Sequence, residues 1–444
     1  MQEKGHVLMK ATPDKYNDNV VSFYATVRNI TIDWGDGYVE TYCFDEISTS
    51  LFTHTYQDDE LKTISVSTEE LTSMGIKNCS YNEVIYDIGE GYYEEIHFGE
   101  CSELKSLYIG AKRLTVLDIE NIKTSLEVLQ CSNLNINSFS VSNFLKLKEL
   151  DVSNSHISKL NVSDCISLEK LNCESNRDLK ELNLDDCFSI KELYCSCTLL
   201  SLLDINNCTK LEKLDFSLTL LTTFNISGHT ELSELNCSSC ELETLDVSNC
   251  SKLIKLDCSN YKLTSLNIKG CESLEELSCF SVPLKELNMS DYKCLRILYC
   301  GYSELTILNL NGCTSLEKLS CGTSEHGVDI YTQLTSLDLS SCLELKELNC
   351  PLSKLETLDL SKNLNLEILN CSKNQLTSLA LNNHKELKFV DCSNNKLSAS
   401  ELNSVLENLP ERHPNENRAI YIHGNVGAIN CFKTLGVMNG WIVE

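Results

Sequence analysis

The feature that most constrains this chain is a period. The run Leu242-Glu243-Thr244-Leu245-Asp246-Val247-Ser248-Asn249-Cys250 is followed by Leu253-Ile254-Lys255-Leu256-Asp257-Cys258, and the pair recurs from Leu263, ending at Cys279. The offset is 21 residues, and each period holds two LxxLx(L/C) units separated by 10 or 11 residues. The last position of the second unit forms a ladder: Ile109, Cys131, Val152, Cys173, Cys195, Phe216, Cys237, Cys258, Cys279, Cys300, Cys321, Cys350, Cys371 and Cys392. The step is 21 or 22 residues throughout, with one exception of 29. A fixed period of this length marks a stacked repeat architecture.

Elementary geometry gives the rest. In LxxLxC, strand alternation sends the second Leu and the Cys inward and the residue between them outward. A 21-residue coil cannot bury its own apolar residues, so coils must stack. At about 4.8 Å per rung the stack is roughly 65 Å long. Two strand-like segments per coil predict two long parallel faces rather than strand plus helix.

The pattern resembles the leucine-rich-repeat family, in its bacterial form with nested 10- and 11-residue units, over roughly residues 93–397. The resemblance implies a mainly β, right-handed solenoid of about 14 coils. It also accounts for the 25 cysteines. The ladder set stands in for Val or Leu as a small buried hydrophobe. A second set, Cys165, Cys187, Cys208, Cys250, Cys271, Cys313 and Cys342, lies three residues after the other unit's last apolar residue. In the family that position holds Asn or Cys, buried under the turn and bonded to backbone. In-register neighbours leave a disulfide geometrically open without requiring one. Cys195-Ser196-Cys197 and Cys237-Ser238-Ser239-Cys240 have zinc-like spacing, but Cys195 and Cys237 belong to the inward ladder, so no metal is expected.

The ends depart from the repeat. Residues 1–75 contain the strand-like runs Val20–Val27 and Thr63–Val66, with Ile30-Thr31-Ile32-Asp33-Trp34-Gly35-Asp36-Gly37 and Phe52-Thr53-His54-Thr55-Tyr56 between them. The order DWGDG, HTY, TISV resembles the PKD (polycystic-kidney-disease-type) β-sandwich. The glycine usual after the HxY piece is replaced by Asp58-Asp59-Glu60. His54 reads as a structural histidine, since no nucleophile is suggested beside it. Residues 76–92 read as a connector and N-terminal cap, 93–397 as the solenoid and 398–444 as a C-terminal helix/strand cap. In that cap Ser398-Ala399-Ser400-Glu401 is a capping-box pattern, Leu402, Val405, Leu406 and Leu409 follow helical spacing, and Pro410 ends the helix. Ala419–Ile422 then reads as a strand, and the tail as a closing module.

Composition narrows the function. A formal charge of −27, with acidic residues scattered along the chain, repels nucleic acid and anionic lipid. No apolar run of 18 residues exists to span a membrane. Met1-Gln2-Glu3-Lys4 opens no secretory h-region, which fits either an internal protein or a removed signal. Nine scattered histidines, with no phosphate loop, HExxH or GxSxG, suggest no catalytic site and no cofactor.

Two surface features suggest binding. One is an outward stripe, Asp204, Asn225, Asp246, Asn267, Asn288, Asn309, Asp338 and Asp359, expected to bond rung to rung, with a calcium or glycan role as the alternative. The other is the 29-residue step, whose extra length falls in residues 322–333 beside Tyr261, Phe280, Tyr299 and Tyr302. Insertions in repeats map to loops on one face, often the binding face. The candidate ligand-binding residues are Tyr261, Phe280, Tyr299, Tyr302, His326, Asp329 and Tyr331. The two resemblances together imply a non-enzymatic cell-surface or secreted adhesion protein with a protein ligand on a host or neighbouring cell. A carbohydrate-binding surface protein and an intracellular scaffold are the alternatives.

Overall fold

The computed structural model describes residues 5–13, 20–68, 70–76, 80–81, 84–85, 93–226, 228–323, 332–411 and 418–444. The chain is mainly β, a leucine-rich-repeat solenoid of about 16 turns. The fourteen rungs of the sequence ladder are exceeded because Ala419–Tyr421 and Ile442–Val443 add parallel strands beyond Cys392. Two compact units divide it, residues 1–221 and 222–444.

The first unit opens with five strands, β1 (Gly5–Ala11), β2 (Val20–Asp33), β3 (Val39–Thr55), β4 (Lys62–Thr68) and β5 (Ser73–Ile76). β2 and β3 form a long antiparallel hairpin whose register shifts between Val27 and Asn29. Its turn needs Gly35, which sits at φ +78°, where a Cβ would lie 2.3 Å from the Thr63 carbonyl oxygen. Past the shift, β2 pairs with β4, which pairs with β1. Before it, β2 pairs with β5. The register shift thus separates two sets of pairing partners along one strand.

Both sets of strands pair directly with the coils. β5 is hydrogen-bonded in parallel to Ser106–Gly110, and β1 antiparallel to Tyr93–Phe98, which pairs in turn with Val116–Asp118. The edge of the first coil is therefore covered by backbone pairing, which answers the need of any solenoid to hide its first rung. Most of residues 76–92, the expected connector, lies outside the described residues.

Within the first unit, in-register parallel strands continue from Ser106–Gly110 through Val128–Ser132, Glu149–Asp151, Lys170–Asn172 and Glu192–Tyr194 to Lys213–Asp215. In the second unit they run from Glu234–Asn236 to Phe389–Asp391 and on to Ile442–Val443. Every ladder residue of the sequence is at most 2% exposed. The opposite face is less regular than expected. Its strands form patches of two or three, Ser138–Ser140 with Lys159–Asn161 and Glu181–Asn183, Thr244–Asp246 with Ser265–Asn267, and Glu286–Asn288 with Ile307–Asn309.

The turn before that face's buried column is left-handed on most coils. Asp164, Asp186, Asn249, Gly270, Asp291, Gly312 and Asn383 hold φ between +58° and +86°. Each immediately precedes a column residue, giving the recurrent Asp-Cys, Asn-Cys and Gly-Cys pairs. Asn, Asp and Gly are the residues that visit this region at low cost.

At the far end Ser398 caps helix α1 (Ala399–Glu407), its hydroxyl accepting the Glu401 amide. Leu402, Val405 and Leu406 face the core. A second helix, α2 (Thr434–Met438), packs against α1.

Candidate binding surface

The buried columns come first, because they decide what the cysteines can do. Burial pushes the thiols of Cys258, Cys300, Cys350 and Cys371 well above the ordinary cysteine range, and those of Cys173, Cys279, Cys321 and Cys392 up to about 12. They are neutral packing groups. Cys240 is buried like Cys237, and among the described residues no group of three or more His, Cys, Asp or Glu is arranged to hold a metal.

The second cysteine column stitches coils together. Cys165 Sγ donates to the Val141 carbonyl at 3.1 Å, Cys271 to Val247 at 3.1 Å and Cys313 to Met289 at 3.0 Å. Where cysteine is absent another donor takes the same role. Tyr292 Oη donates to the Ile268 carbonyl at 2.8 Å and Asn363 Nδ2 to Leu339 at 3.1 Å, while His384 Nε2 lies 3.1 Å from the Leu360 carbonyl oxygen. Sequence reasoning found the cysteines of this column but not the tyrosine and histidines that share its register.

The outward Asx stripe bonds within its own turns as well as rung to rung. Side chains of the stripe serve their own turns: Asp246 Oδ1 accepts the Ser248 amide at 2.8 Å, Asp338 that of Ser340 at 2.9 Å and Asn288 that of Ser290 at 3.1 Å. A rung-to-rung bond appears between Asn309 Nδ2 and Asn288 Oδ1, at 3.0 Å. The adjacent Ser248 and Ser340 groups hold the Asp246 and Asp338 carboxyls below their usual range. With Oδ1 already committed to a turn amide, local geometry accounts for the stripe without a bound ion.

On the long-sheet face, charges alternate from coil to coil. In the first unit Lys148 pairs with Glu127 and Lys191 with Glu169, both at 2.7 Å. In the second, Glu317 lies between Arg296 at 2.7 Å and Lys346 at 2.8 Å. The Lys346 and Arg296 hydrogen bonds hold the Glu317 carboxyl below its usual range.

The aromatic cluster sits where this regularity breaks. After the ladder residue, coils carry Ser153, Ser217, Ser238, Ser259, Ser372 and Ser393, but the run 280, 301, 322, 351 is Phe, Gly, Gly, Pro. A Cβ on Gly301 would lie 2.2 Å from the Gly322 carbonyl oxygen and 3.6 Å from the Phe280 ring, and one on Gly322 would lie 2.4 Å from Pro351. These coils meet backbone to backbone, and the freed space is covered by the Phe280 ring, 4.7 Å from that of Tyr302. Tyr299 stands in register between Ser278 and Ser320, so its ring is flanked by small neighbours. Tyr261 is 65% exposed, and Phe280 and Tyr299 are also exposed. Thr323 and Ser353, on the same edge, are buried with hydroxyls that have no hydrogen-bond partner among the described residues. His326, Asp329 and Tyr331 lie outside the described residues. The structure thus brings Phe280 and Tyr302 together directly.

Near the N-terminus the DWGDG and HTY pieces form one cluster. His54 stacks on Trp34 and Tyr38, with centroids at 5.1 and 5.3 Å, and its Nε2 lies 2.7 Å from Asp36 Oδ2. Tyr56 Oη donates to the Trp34 carbonyl at 2.7 Å. Every polar atom in these contacts serves packing.

Fold and columns define the class, a leucine-rich-repeat solenoid with stacked cysteines. No protein-family model matches the chain, and no curated protein does. Among solved structures, the functional domain of InlJ from Listeria monocytogenes, described as including a cysteine ladder, is similar at 25% identity and a TM-score of 0.59, covering 82% of this chain and 77% of that one. An internalin, InlF, of the same species matches at 19% identity and a TM-score of 0.43, covering 70% and 78%. YopM, a leucine-rich effector from Yersinia pestis, matches at 19% and 0.37, covering 79% and 88%. No described helix is long and apolar enough to cross a membrane.

Proposed function

We propose that this chain is a non-enzymatic binding protein of the bacterial surface or secreted space. Its solenoid holds a protein ligand of a host or neighbouring cell. The observation that carries the reading is the exposed set Tyr261, Phe280 and Tyr299 with half-buried Tyr302, on coils that meet backbone to backbone at Gly301 and Gly322, just before residues 324–331 in the sequence. Aromatic rings on a rigid scaffold give large contact area at small entropic cost. Similarity to the InlJ domain supports a surface setting. The Trp34–His54–Tyr56 cluster supports a PKD-like reading of residues 1–75, followed by the connector at 76–92, the solenoid at 93–397 and the cap at 398–444.

The test is a binding screen of the purified chain against surface proteins of neighbouring and host cells. Deleting residues 324–331, or combining Tyr299→Ala with Tyr302→Ala, should weaken the ligand roughly tenfold or more while leaving the fold intact. Unchanged affinity would sink this choice of site, and capture of glycans alone would replace the ligand class. Protease treatment of intact cells checks location. Protection until lysis would leave an internal scaffold.

A further inference from the structure

The long strand β3 stands at a sheet edge. Its register with β2 runs unbroken over eight residues, 48–55 against 20–27. On its other side β2 takes β5, so Tyr24 stands between Leu51 and Gly75, and Ala25 between Ser50 and Met74. Through β5 the same sheet continues in parallel into Ser106–Gly110 and the first coils. Among the described residues β3 pairs with β2 alone. An edge strand holds a row of N–H and C=O groups pointed outward, which a further strand can complete.

Edges are ordinarily blunted by lysine, proline, shortness or a bulge. β3 is 17 residues long and contains neither lysine nor proline. Its one irregularity, residues 44–47 opposite Arg28, lies outside the 48–55 arm, where no residue is skipped. Leu51, near the middle of the arm, is 41% exposed. Thr49, Thr53 and Thr55 are exposed beside it. Threonine and leucine at alternate positions give an incoming strand a pleated surface to pack on.

Charge selects the occupant. From Asp33 to Leu61 the chain carries eight acidic residues and no lysine or arginine. Asp45 and Glu46 stand just before the arm and Asp58, Asp59 and Glu60 just after it, all five exposed. Lys62 reaches Asp58 at 2.7 Å and so offsets one of them. Between these flanks His54 is the one titratable side chain, and its Nε2 lies 2.7 Å from Asp36 Oδ2. The arrangement opposes a second copy of the chain. Two arms paired antiparallel would set Asp45 and Glu46 of one against Asp58, Asp59 and Glu60 of the other, and a parallel pair would set each acidic flank against itself. The complement is a strand uncharged through its middle and basic at both ends. We infer that β3 accepts, along residues 48–55, an extended segment of a partner protein as an added strand, about eight residues long with lysine or arginine at each end. This surface belongs to the first unit, whereas Tyr299 and Tyr302 belong to the second.

Titration of the full chain with a synthetic peptide tests this. The probe alternates threonine and valine over its middle and carries a Lys-Arg pair at each end. Binding with a Kd below about 100 μM is expected, weakening as salt rises toward about 1 M. Hydrogen exchange of the bound chain should slow within residues 48–55. Methylating the probe's central backbone nitrogens removes its donors and keeps its charge, and should weaken binding roughly tenfold or more. Leu51→Lys, which places a lysine on the edge, should do the same with circular dichroism unchanged. A probe with Glu-Glu ends should fail to bind, and the combined changes Asp45→Lys, Glu46→Lys, Asp59→Lys and Glu60→Lys should restore it. Tyr299→Ala with Tyr302→Ala should leave probe binding intact, so that this surface and the aromatic site fail separately. No binding up to about 1 mM, equal affinity for the methylated or Glu-ended probe, or protection confined to residues outside 48–55 would each overturn the proposal. So would a dimer of the free chain that Leu51→Lys dissolves, which would assign the edge to a second copy.

Discussion

The ring of Phe280 lies 4.7 Å from that of Tyr302 one coil further on, beside the close backbone contact at Gly301. The pairing depends on the missing side chain, since any Cβ at Gly301 meets the Gly322 carbonyl before it meets the ring. Gly301→Ser, which restores the residue found on most coils, should therefore destabilise the chain by about 1–3 kcal/mol through overpacking. A lowered denaturant midpoint with altered tyrosine fluorescence checks it. An unchanged midpoint would mean that the coils part at no cost.

The column that stitches coils predicts a graded series at Cys313, whose thiol donates to the Met289 carbonyl at 3.0 Å. Cys313→Ala leaves that buried carbonyl without its donor and should cost about 1–3 kcal/mol. Cys313→Asn should recover much of the loss, because Asn363 makes the equivalent bond to Leu339 in the same unit. Equal midpoints for the two variants in urea unfolding would refute the role given to the bond.

Thiol chemistry separates buried from exposed cysteines. Cys43 and Cys294 are exposed, whereas Cys258, Cys300, Cys350 and Cys371 are buried, with thiols pushed well above the ordinary range. The thiolate is the reactive species. Near pH 8, a disulfide reagent should therefore label Cys43 and Cys294 quickly and the four ladder thiols only after unfolding. Peptide mapping of the labelled native chain reads this directly.

Glu317 gives the stability a pH dependence. Its carboxyl is held below the ordinary 4.5 by Lys346 and Arg296, so the contribution is fully present above pH 4.5 and is lost as pH falls through the lower folded value. The pairs lie at the surface, so Glu317→Gln should cost only about 0.5–1 kcal/mol at neutral pH. The difference should vanish in acid and shrink in about 1 M salt. A difference constant from neutral pH down into acid would remove the ion pairs as its cause.

Much of the fold is legible in the chain because it is local and repeated. Strand alternation alone sends Leu256 and Cys258 inward, and a 21-residue step repeats the instruction until a column results. The capping of α1 by Ser398 is likewise a matter of three residues. The left-handed turns at the Asp-Cys, Asn-Cys and Gly-Cys pairs of the second column came to light only in the structure. Of the candidate site, the aromatics and the long step stood out in the sequence, but their arrangement did not.

Three-dimensional packing decided the rest. That Asn288 Oδ1 accepts both the Ser290 amide of its own turn and the Asn309 side-chain amide of the next rung depends on which donors it can reach, and composition is silent on that. The union of β5 with Ser106–Gly110 joins segments about 30 residues apart through backbone bonds, which leave no periodic trace in side chains. Gly301 acquires its meaning only when Gly322 and Phe280 close around it. The open edge of β3 becomes visible only once β2 has taken β5 on its other side. A period determines what every coil must do to bury its core; only the packed chain determines which coils are left with something to offer a partner, because exposure belongs to the assembled surface and not to any one residue.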